Sequence, residues 1–261
     1  MTILFLFLIG LFIGSFLGVL VDRIPNKKSF IKGRSICDFC KHKLAWYDLI
    51  PVLSFLLLKG KCRYCEKKLP FFYPKIEVFT GLVFVLIYFF VASILPFSYL
   101  SLIFYLLLSS LLIVILFIDL KFGIIPDKIT LPGVILTLFF LIITKLPTIY
   151  NYLFSAIFTS VFFIIISLFY YLLRKNIAMG GGDIKYAFLM GLILGFPSII
   201  VGLYSAFLTA ALYSIILIIW HKKAFLKDSI PFGPFLVLGT FLSLIWGNLI
   251  FQKSLILLGL R

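Results

Sequence analysis

Residues 99–119 read YLSLIFYLLLSSLLIVILFID, an uncharged run from Tyr99 to Ile118 closed by Asp119. A helix needs about 20 mainly apolar residues to cross roughly 30 Å of hydrocarbon, and this run meets that length before its first carboxyl. The same reading repeats on both sides of it. Helices are expected over Thr2–Val21, Val78–Ile94, Tyr99–Ile118, Ile129–Thr144, Ile149–Leu173, Ile184–Leu194, Ser198–Trp220 and Phe232–Phe251. The fourth is short and the sixth shorter still. Gly195, Phe196 and Pro197 join the sixth to the seventh, so those two can also be read as one long bent helix.

Composition agrees with a bilayer as the main solvent. The chain is 63% apolar with a mean hydropathy of +1.22, whereas soluble domains are about half apolar. The fold class expected is an all-α polytopic membrane protein of about eight transmembrane helices with a small cytoplasmic zinc-binding insertion. Three parts follow: residues 1–21 as the first transmembrane helix, 22–77 as a cytoplasmic cysteine domain, and 78–261 as the membrane domain that carries the chemistry. Met1 to Leu20 has no basic leader and no small-x-small cleavage site, and reads as a retained first span.

The net charge of +15 raises nucleic acid as a partner. However, the basic residues crowd into short connections between apolar runs instead of forming one soluble face. Such residues set topology, and anionic lipid headgroups are their expected counter-charge; no nucleic acid is called for. One set of alternate connections holds Arg23 to Lys75, Lys121 with Lys128, Arg174 with Lys175, and Lys222, Lys223 and Lys227, while the other holds little beyond Lys145. The first set is therefore assigned to the cytoplasm, and an even number of helices puts both termini outside.

Only the connection from Asp22 to Glu77 is long enough to fold by itself, and at roughly 55 residues it calls for a metal or disulfides. It contains all four cysteines, as Cys37-Asp38-Phe39-Cys40 and Cys62-Arg63-Tyr64-Cys65. Two C-x2-C turns each present a pair of sulfurs, which suits tetrahedral zinc held by four thiolates. Two disulfides are the alternative, and a reducing cytoplasm disfavours them. A closed four-thiolate shell leaves no position for water, so this metal is expected to be structural. His42 beside Cys40 is read as an exposed residue and not a ligand.

The nine acids are Asp22, Asp38, Asp48, Glu66, Glu77, Asp119, Asp127, Asp183 and Asp228, and the two histidines are His42 and His221. With so little histidine, a Ser-His or Cys-His system has almost nothing to build on, and carboxylates must carry any hydrolysis. Asp119 ends the third span, and Asp183 opens the sixth after Gly180-Gly181-Gly182, at the same expected face. If the two helices are neighbours, the carboxyls meet and share a proton: one activates water while the other protonates a leaving amine. The plainer reading makes Asp119 an interfacial residue and Asp183 a helix cap. Asp127, in Ile125-Pro126-Asp127-Lys128, can cap the fourth helix and also rivals Asp119 for a catalytic role. Spacing leaves that choice open.

In combination, these residues resemble the bifunctional type IV prepilin peptidase family, leader peptidases and N-methyltransferases. The resemblance runs along nearly the whole chain. It takes in Gly14-Ser15-Phe16-Leu17 with Arg23-Ile24-Pro25, the paired cysteines, Tyr73-Pro74 with Glu77, Ile118-Asp119 leading to Ile125-Pro126-Asp127 and Thr130-Leu131-Pro132, and Gly180-Gly181-Gly182-Asp183-Ile184-Lys185. It implies that Asp119, not Asp127, is the first active aspartate and Asp183 the second, with Gly180, Gly182 and Asp127 supporting them. It further implies a multi-pass protein of the bacterial inner membrane. Such a protein cuts the basic leader of type IV prepilins or pseudopilins after glycine on the cytoplasmic side. Members with the cysteine module then methylate the new N-terminus, commonly phenylalanine, with S-adenosylmethionine.

Glu77 and Gly60 are candidate contributors to that second site, the alternatives being a headgroup anchor and a turn. Gly18, where the family often carries asparagine, and Asp22 depart from the pattern. No Rossmann fingerprint is present, so a methyl-donor pocket would combine the cysteine loop with membrane helices. Nor does a phosphate-loop lysine follow Gly180–Gly182. Two other readings stay open: a transporter or channel that binds ions or protons at its aspartates, and a peptidase whose cysteine domain is a scaffold without methyl transfer. Homo-oligomerisation is also left open.

Overall fold

Hydrocarbon offers no partner to an open N–H or C=O, so apolar runs close their backbone hydrogen bonds internally as helices. The computed structural model, which describes residues 1–29, 35–37, 39–93, 98–175, 180–220 and 230–257, follows that rule. Its helices are α1 (Thr2–Arg23), a short α2 (Leu53–Leu57), α3 (Phe72–Ser93), α4 (Tyr99–Phe122), α5 (Asp127–Thr144), α6 (Ile149–Arg174), α7 (Gly181–Leu194), α8 (Ser198–Trp220) and α9 (Gly233–Leu257). Among the described residues there is no strand, only two isolated bridges, Ile36 with Lys43 and Lys61 with Lys68. Of the positions singled out from the sequence, Asp38, Ile94, His221, Lys222, Lys223, Lys227 and Asp228 lie outside the described residues.

The chain is an all-α polytopic membrane protein, and each of its eight long helices coincides with an expected one. Seven are long and apolar enough to cross a membrane among the described residues. The exception is α7, whose 14 residues rise only about 21 Å. Its surroundings explain why so short a helix is stable. Tyr186, Ala187, Leu189, Met190 and Leu192 are fully buried, and α5, α6, α8 and α9 all pack against it. A helix apolar all round is stable where protein, not lipid, covers it. Gly195, at φ 65°, ends α7. Asn151 then grips the turn by donating to the Phe196 carbonyl (2.8 Å) and accepting from the Phe196 N–H (2.9 Å). Thus α7 and α8 are two helices and not one bent rod.

Helix ends extend beyond the apolar runs. Phe72 opens α3 six residues before the expected Val78, because Pro74 lies in the first turn, where a missing N–H costs no intrahelical bond. Likewise α4 continues past Asp119 to Phe122, and α7 opens at Gly181 so that Asp183 stands in its first turn. The candidate site residues Asp119 and Asp183 are therefore held by helical backbone.

The chain packs as two units, Met1–Val114 and Ile115–Arg261. In the first, α1 lies against α3 so closely that a Cβ at Gly10 would fall 2.5 Å from Gly81 Cα, and one at Gly14 2.7 Å from Glu77 Cα. In the second, Gly239 of α9 meets the Gly202 carbonyl of α8, and Ser243 Oγ donates to the Ser198 carbonyl at 2.6 Å. Lipid supplies no hydrophobic push between helices, so small residues that allow close van der Waals contact and interhelical hydrogen bonds do this work. The buried Tyr186 and Thr240 hydroxyls, 2.9 Å apart, tie α7 to α9 in the same way.

Candidate metal centre and candidate active site

Each cysteine pair folds as a tight knuckle, and the two knuckles match. Cys37 N–H donates to the His42 carbonyl (3.0 Å) and Cys62 N–H to the Lys67 carbonyl (2.9 Å), while Lys41 and Glu66 donate back to Cys37 and Cys62, both at 2.9 Å. Lys41 and Glu66 both take left-handed backbone, at φ 58° and 56°. The Ile36–Lys43 and Lys61–Lys68 bridges close the two knuckles at corresponding positions.

The four Sγ atoms lie within 4.8 Å of one another, with Cys37 and Cys65 Sγ at 4.0 Å, and all four cysteines are free thiols. A tetrahedral ion with metal–sulfur bonds of about 2.3 Å places its sulfurs about 3.8 Å apart, so a small contraction would seat one. Burial pushes the Cys37 thiol up, but the Cys40 and Phe39 amides and the thiols of Cys62 and Cys40 pull it down further, to about 7. The Lys67 amide pulls Cys65 down, yet burial and its sulfur neighbours push it up to about 11. Sulfurs this close resist ionising together, and a divalent cation at their centre removes the conflict. The donor set fits a four-sulfur metal site. His42 stands outside it, tilted by 33° against the Tyr64 ring with centroids 3.8 Å apart.

Asp48, a site residue that sequence reasoning missed, pins this module. Its side chain is 4% exposed and accepts from Arg63 Nε (2.8 Å), Tyr64 OH (3.0 Å) and Ala45 N–H (3.1 Å). Burial pushes its carboxyl up, but these three donors outweigh it and hold the group below the ordinary aspartate range. The signal was Arg63-Tyr64, the two residues inside the second C-x2-C.

Gly60, at φ 71°, makes the turn between α2 and the second knuckle, donating to the Phe55 carbonyl and accepting from Leu69. Glu77 is 6% exposed within α3. Its Oε2 accepts the Val52 N–H at 2.7 Å and its carboxyl also meets the Ser15 hydroxyl. One carboxylate thus joins α1, α3 and the cysteine module, with Val52 held at φ 59°, a conformation uncommon for a β-branched residue. Gly18 packs on Tyr73, whose hydroxyl donates to Asp22 at 2.7 Å.

In the second unit, three helix ends converge. Asp119 lies in the last turn of α4, 4% exposed, and its Oδ2 is buried without a hydrogen-bond partner. Such an atom is costly unless something completes it. Asp183, half-buried in the first turn of α7, feels the charge of Asp119. Ile125 packs against both Gly182 and Gly233. A Cβ at Gly182 would fall 2.9 Å from Ile125 Cβ, and one at Gly233, the first residue of α9, would fall 3.1 Å from Ile125 Cδ1 and 2.5 Å from Asp119 Oδ2.

Asp127 is turned to another task. It pairs with Lys185 Nζ at 2.6 Å, and both side chains are about half exposed. Gly180 caps α7 in extended backbone, where a Cβ would meet nothing nearer than Asp183 Oδ2 at 3.8 Å. The structure thus brings Asp119 and Asp183 to one place together with Gly182, and gives Asp127 to an exposed ion pair. Sequence reasoning missed Ile125 and Gly233; the only signal for the latter was a glycine set among prolines in Pro231-Phe232-Gly233-Pro234.

A carboxyl pair in this setting can exchange protons with a water and a substrate. Comparison with known proteins bears on which substrate. The Bacterial Peptidase A24 N-terminal domain matches residues 8–91 and the Type IV leader peptidase family residues 106–215. A Prepilin leader peptidase/N-methyltransferase of Bacillus subtilis is 32% identical over 93% of this chain and 94% of its own. One from Aeromonas salmonicida is 30% identical over 93% and 90%, and one from Myxococcus xanthus is 42% identical over 50% of this chain and 38% of its own. No solved structure matches the chain. With two relatives aligned nearly end to end and family models over residues 8–91 and 106–215, the chain belongs to the type IV leader peptidase family.

Proposed function

We propose that the chain is an aspartic endopeptidase of the bacterial inner membrane. In this reading it removes the basic leader of type IV prepilins or pseudopilins after glycine on the cytoplasmic side, then N-methylates the new N-terminus. The names of its relatives support the substrate class. The observation that carries the mechanism is Asp119, a buried carboxyl with an unpartnered oxygen, placed within range of the Asp183 carboxyl.

The reaction follows from two carboxyls sharing one proton. The ionised member takes a proton from water, and the oxygen so released bonds to the scissile carbonyl carbon. The protonated member delivers its proton to the amide nitrogen as the carbon–nitrogen bond breaks. Water is consumed, and the new carboxyl and amine leave. Gly182 lets the Ile125 loop close on α7, which sets the approach of the two acids.

In this reading zinc is the ion for Cys37, Cys40, Cys62 and Cys65; four thiolates close its shell, so it shapes the module. S-adenosylmethionine supplies the methyl group in the second reaction. Glu77 and Gly60, both occupied by contacts within the module and its anchoring helices, contribute by fixing its shape.

The test is purified protein in lipid nanodiscs with a prepilin substrate. Asp119→Ala and Asp183→Ala should each abolish cleavage while membrane insertion persists; full processing by either rejects the reading. Mass spectrometry of the product N-terminus then reports the cut site and a gain of one methyl group, and an unmethylated product with donor present removes the second activity.

A further inference from the structure

The first turn of α9 is short of donors in an informative way. Pro234 has no N–H, and the N–H groups of Phe235 and Leu236 already bond the Phe232 carbonyl at 3.1 and 3.2 Å. That leaves the Gly233 amide, which faces the Asp119 carboxyl. A helix N-terminus favours negative charge, and here a carboxyl that is 4% exposed, with its Oδ2 unpartnered, lies beside it. The fit depends on a missing atom: a Cβ at position 233 would stand 2.5 Å from Asp119 Oδ2 and 3.0 Å from its Cγ.

We infer that Gly233 is a positioning residue of the proposed peptidase centre, its amide and its lack of a side chain fixing the orientation of the Asp119 carboxyl. The inference rests on the aspartic reading above. The nearest obstacles to a Cβ here are the tip of Asp119 and a terminal methyl of Ile125, not backbone. Gly233→Ala should therefore fold with its carboxylate rotated away, in contrast to Gly239→Ala, whose Cβ would strike the Gly202 carbonyl.

The experiment compares Gly233→Ala, Asp119→Ala and the double variant for kcat, KM, pH profile and thermal stability on a prepilin substrate in nanodiscs. Gly233→Ala should lower kcat about 100-fold, the cost of a misplacement near 1 Å. KM should stay nearly constant, and the pH profile of kcat should move. Asp119→Ala removes the clashing atoms, so the double variant should be no less stable than Asp119→Ala alone, a result that can be read even if Gly233→Ala by itself does not fold.

Wild-type kcat in Gly233→Ala overturns the inference. So does a loss of activity that merely follows the folded fraction with an unchanged pH profile, or a double variant as unstable as Gly233→Ala. Retained cleavage in Asp119→Ala would instead strike the peptidase reading itself.

Discussion

Gly182→Ala should cost both stability and turnover, and the structure sets the scale. The added Cβ would lie 2.9 Å from Ile125 Cβ and 3.4 Å from both the Ile125 nitrogen and oxygen. Carbon atoms rest about 3.5–4.0 Å apart, so the α4–α5 loop must retreat by about 0.6–1.1 Å. No rotamer change relieves this, because Ile125 Cβ is fixed to the backbone. Overpacking of this kind costs about 1–3 kcal/mol. A shift near 1 Å in a loop that touches both the Gly182 turn and the Asp119 surroundings should lower kcat about 100-fold.

Gly180→Ala is the internal control for stability. Its φ of −67° and ψ of 144° suit any residue, and its Cβ would have only an ordinary contact at 3.8 Å. Thermal unfolding in detergent and single-turnover cleavage of a prepilin give the two readouts. Equal stability of both variants, or full turnover in Gly182→Ala, would refute the idea that the Ile125 wedge sets the geometry of the acids.

Two further outcomes concern the cysteine module. Asp48 is held below its unfolded value, so the stability it lends is fully present above about pH 4 and is lost as the pH falls through the folded value; Asp48→Asn should remove that acid dependence, as followed by hydrogen exchange at Ala45. Cys62→Ser should lower bound metal from about one per chain and loosen both knuckles, measured by elemental analysis and limited proteolysis, and undiminished metal content would contradict the four-sulfur site.

The helices were legible because lipid imposes one requirement, apolar length, that a single sequence displays openly. Their ends were less so. Apolarity stops at Ile118, Val78 and Ile184, but backbone hydrogen bonding runs on to Phe122, back to Phe72 and back to Gly181. The cysteine cluster was readable from its spacing, since two C-x2-C turns have few other uses. Asp119 against Asp127 was not. Both stand beside one loop, and spacing does not separate them; the family resemblance does, and in the structure Asp127 meets Lys185 while Asp119 meets the start of α9. Gly233 was hidden for the same reason. Four helices separate it from Asp119 in sequence, and no local period marks a contact of that range.

The placement of the buried acids has a physical logic that the apolar composition makes strict. Inside a helix every N–H and C=O is spent on its own backbone, and in hydrocarbon nothing else is present to engage a carboxyl. Unspent donors occur only in the first turn of a helix, where the leading N–H groups have no intrahelical partner. A buried acid in such a protein must therefore be found near a helix end, or be completed by other side chains. Glu77 takes both courses, accepting the backbone N–H of Val52 at the start of α2 and meeting the Ser15 hydroxyl. Asp119 and Asp183 take the first, standing at the last turn of α4 and the first of α7 beside the start of α9. The oxygen of Asp119 that even this arrangement leaves unpartnered is the one place among the described residues where a buried side-chain polar group still lacks a hydrogen bond. In the proposed reading, a water or the proton of the second acid completes the structure there and begins the reaction.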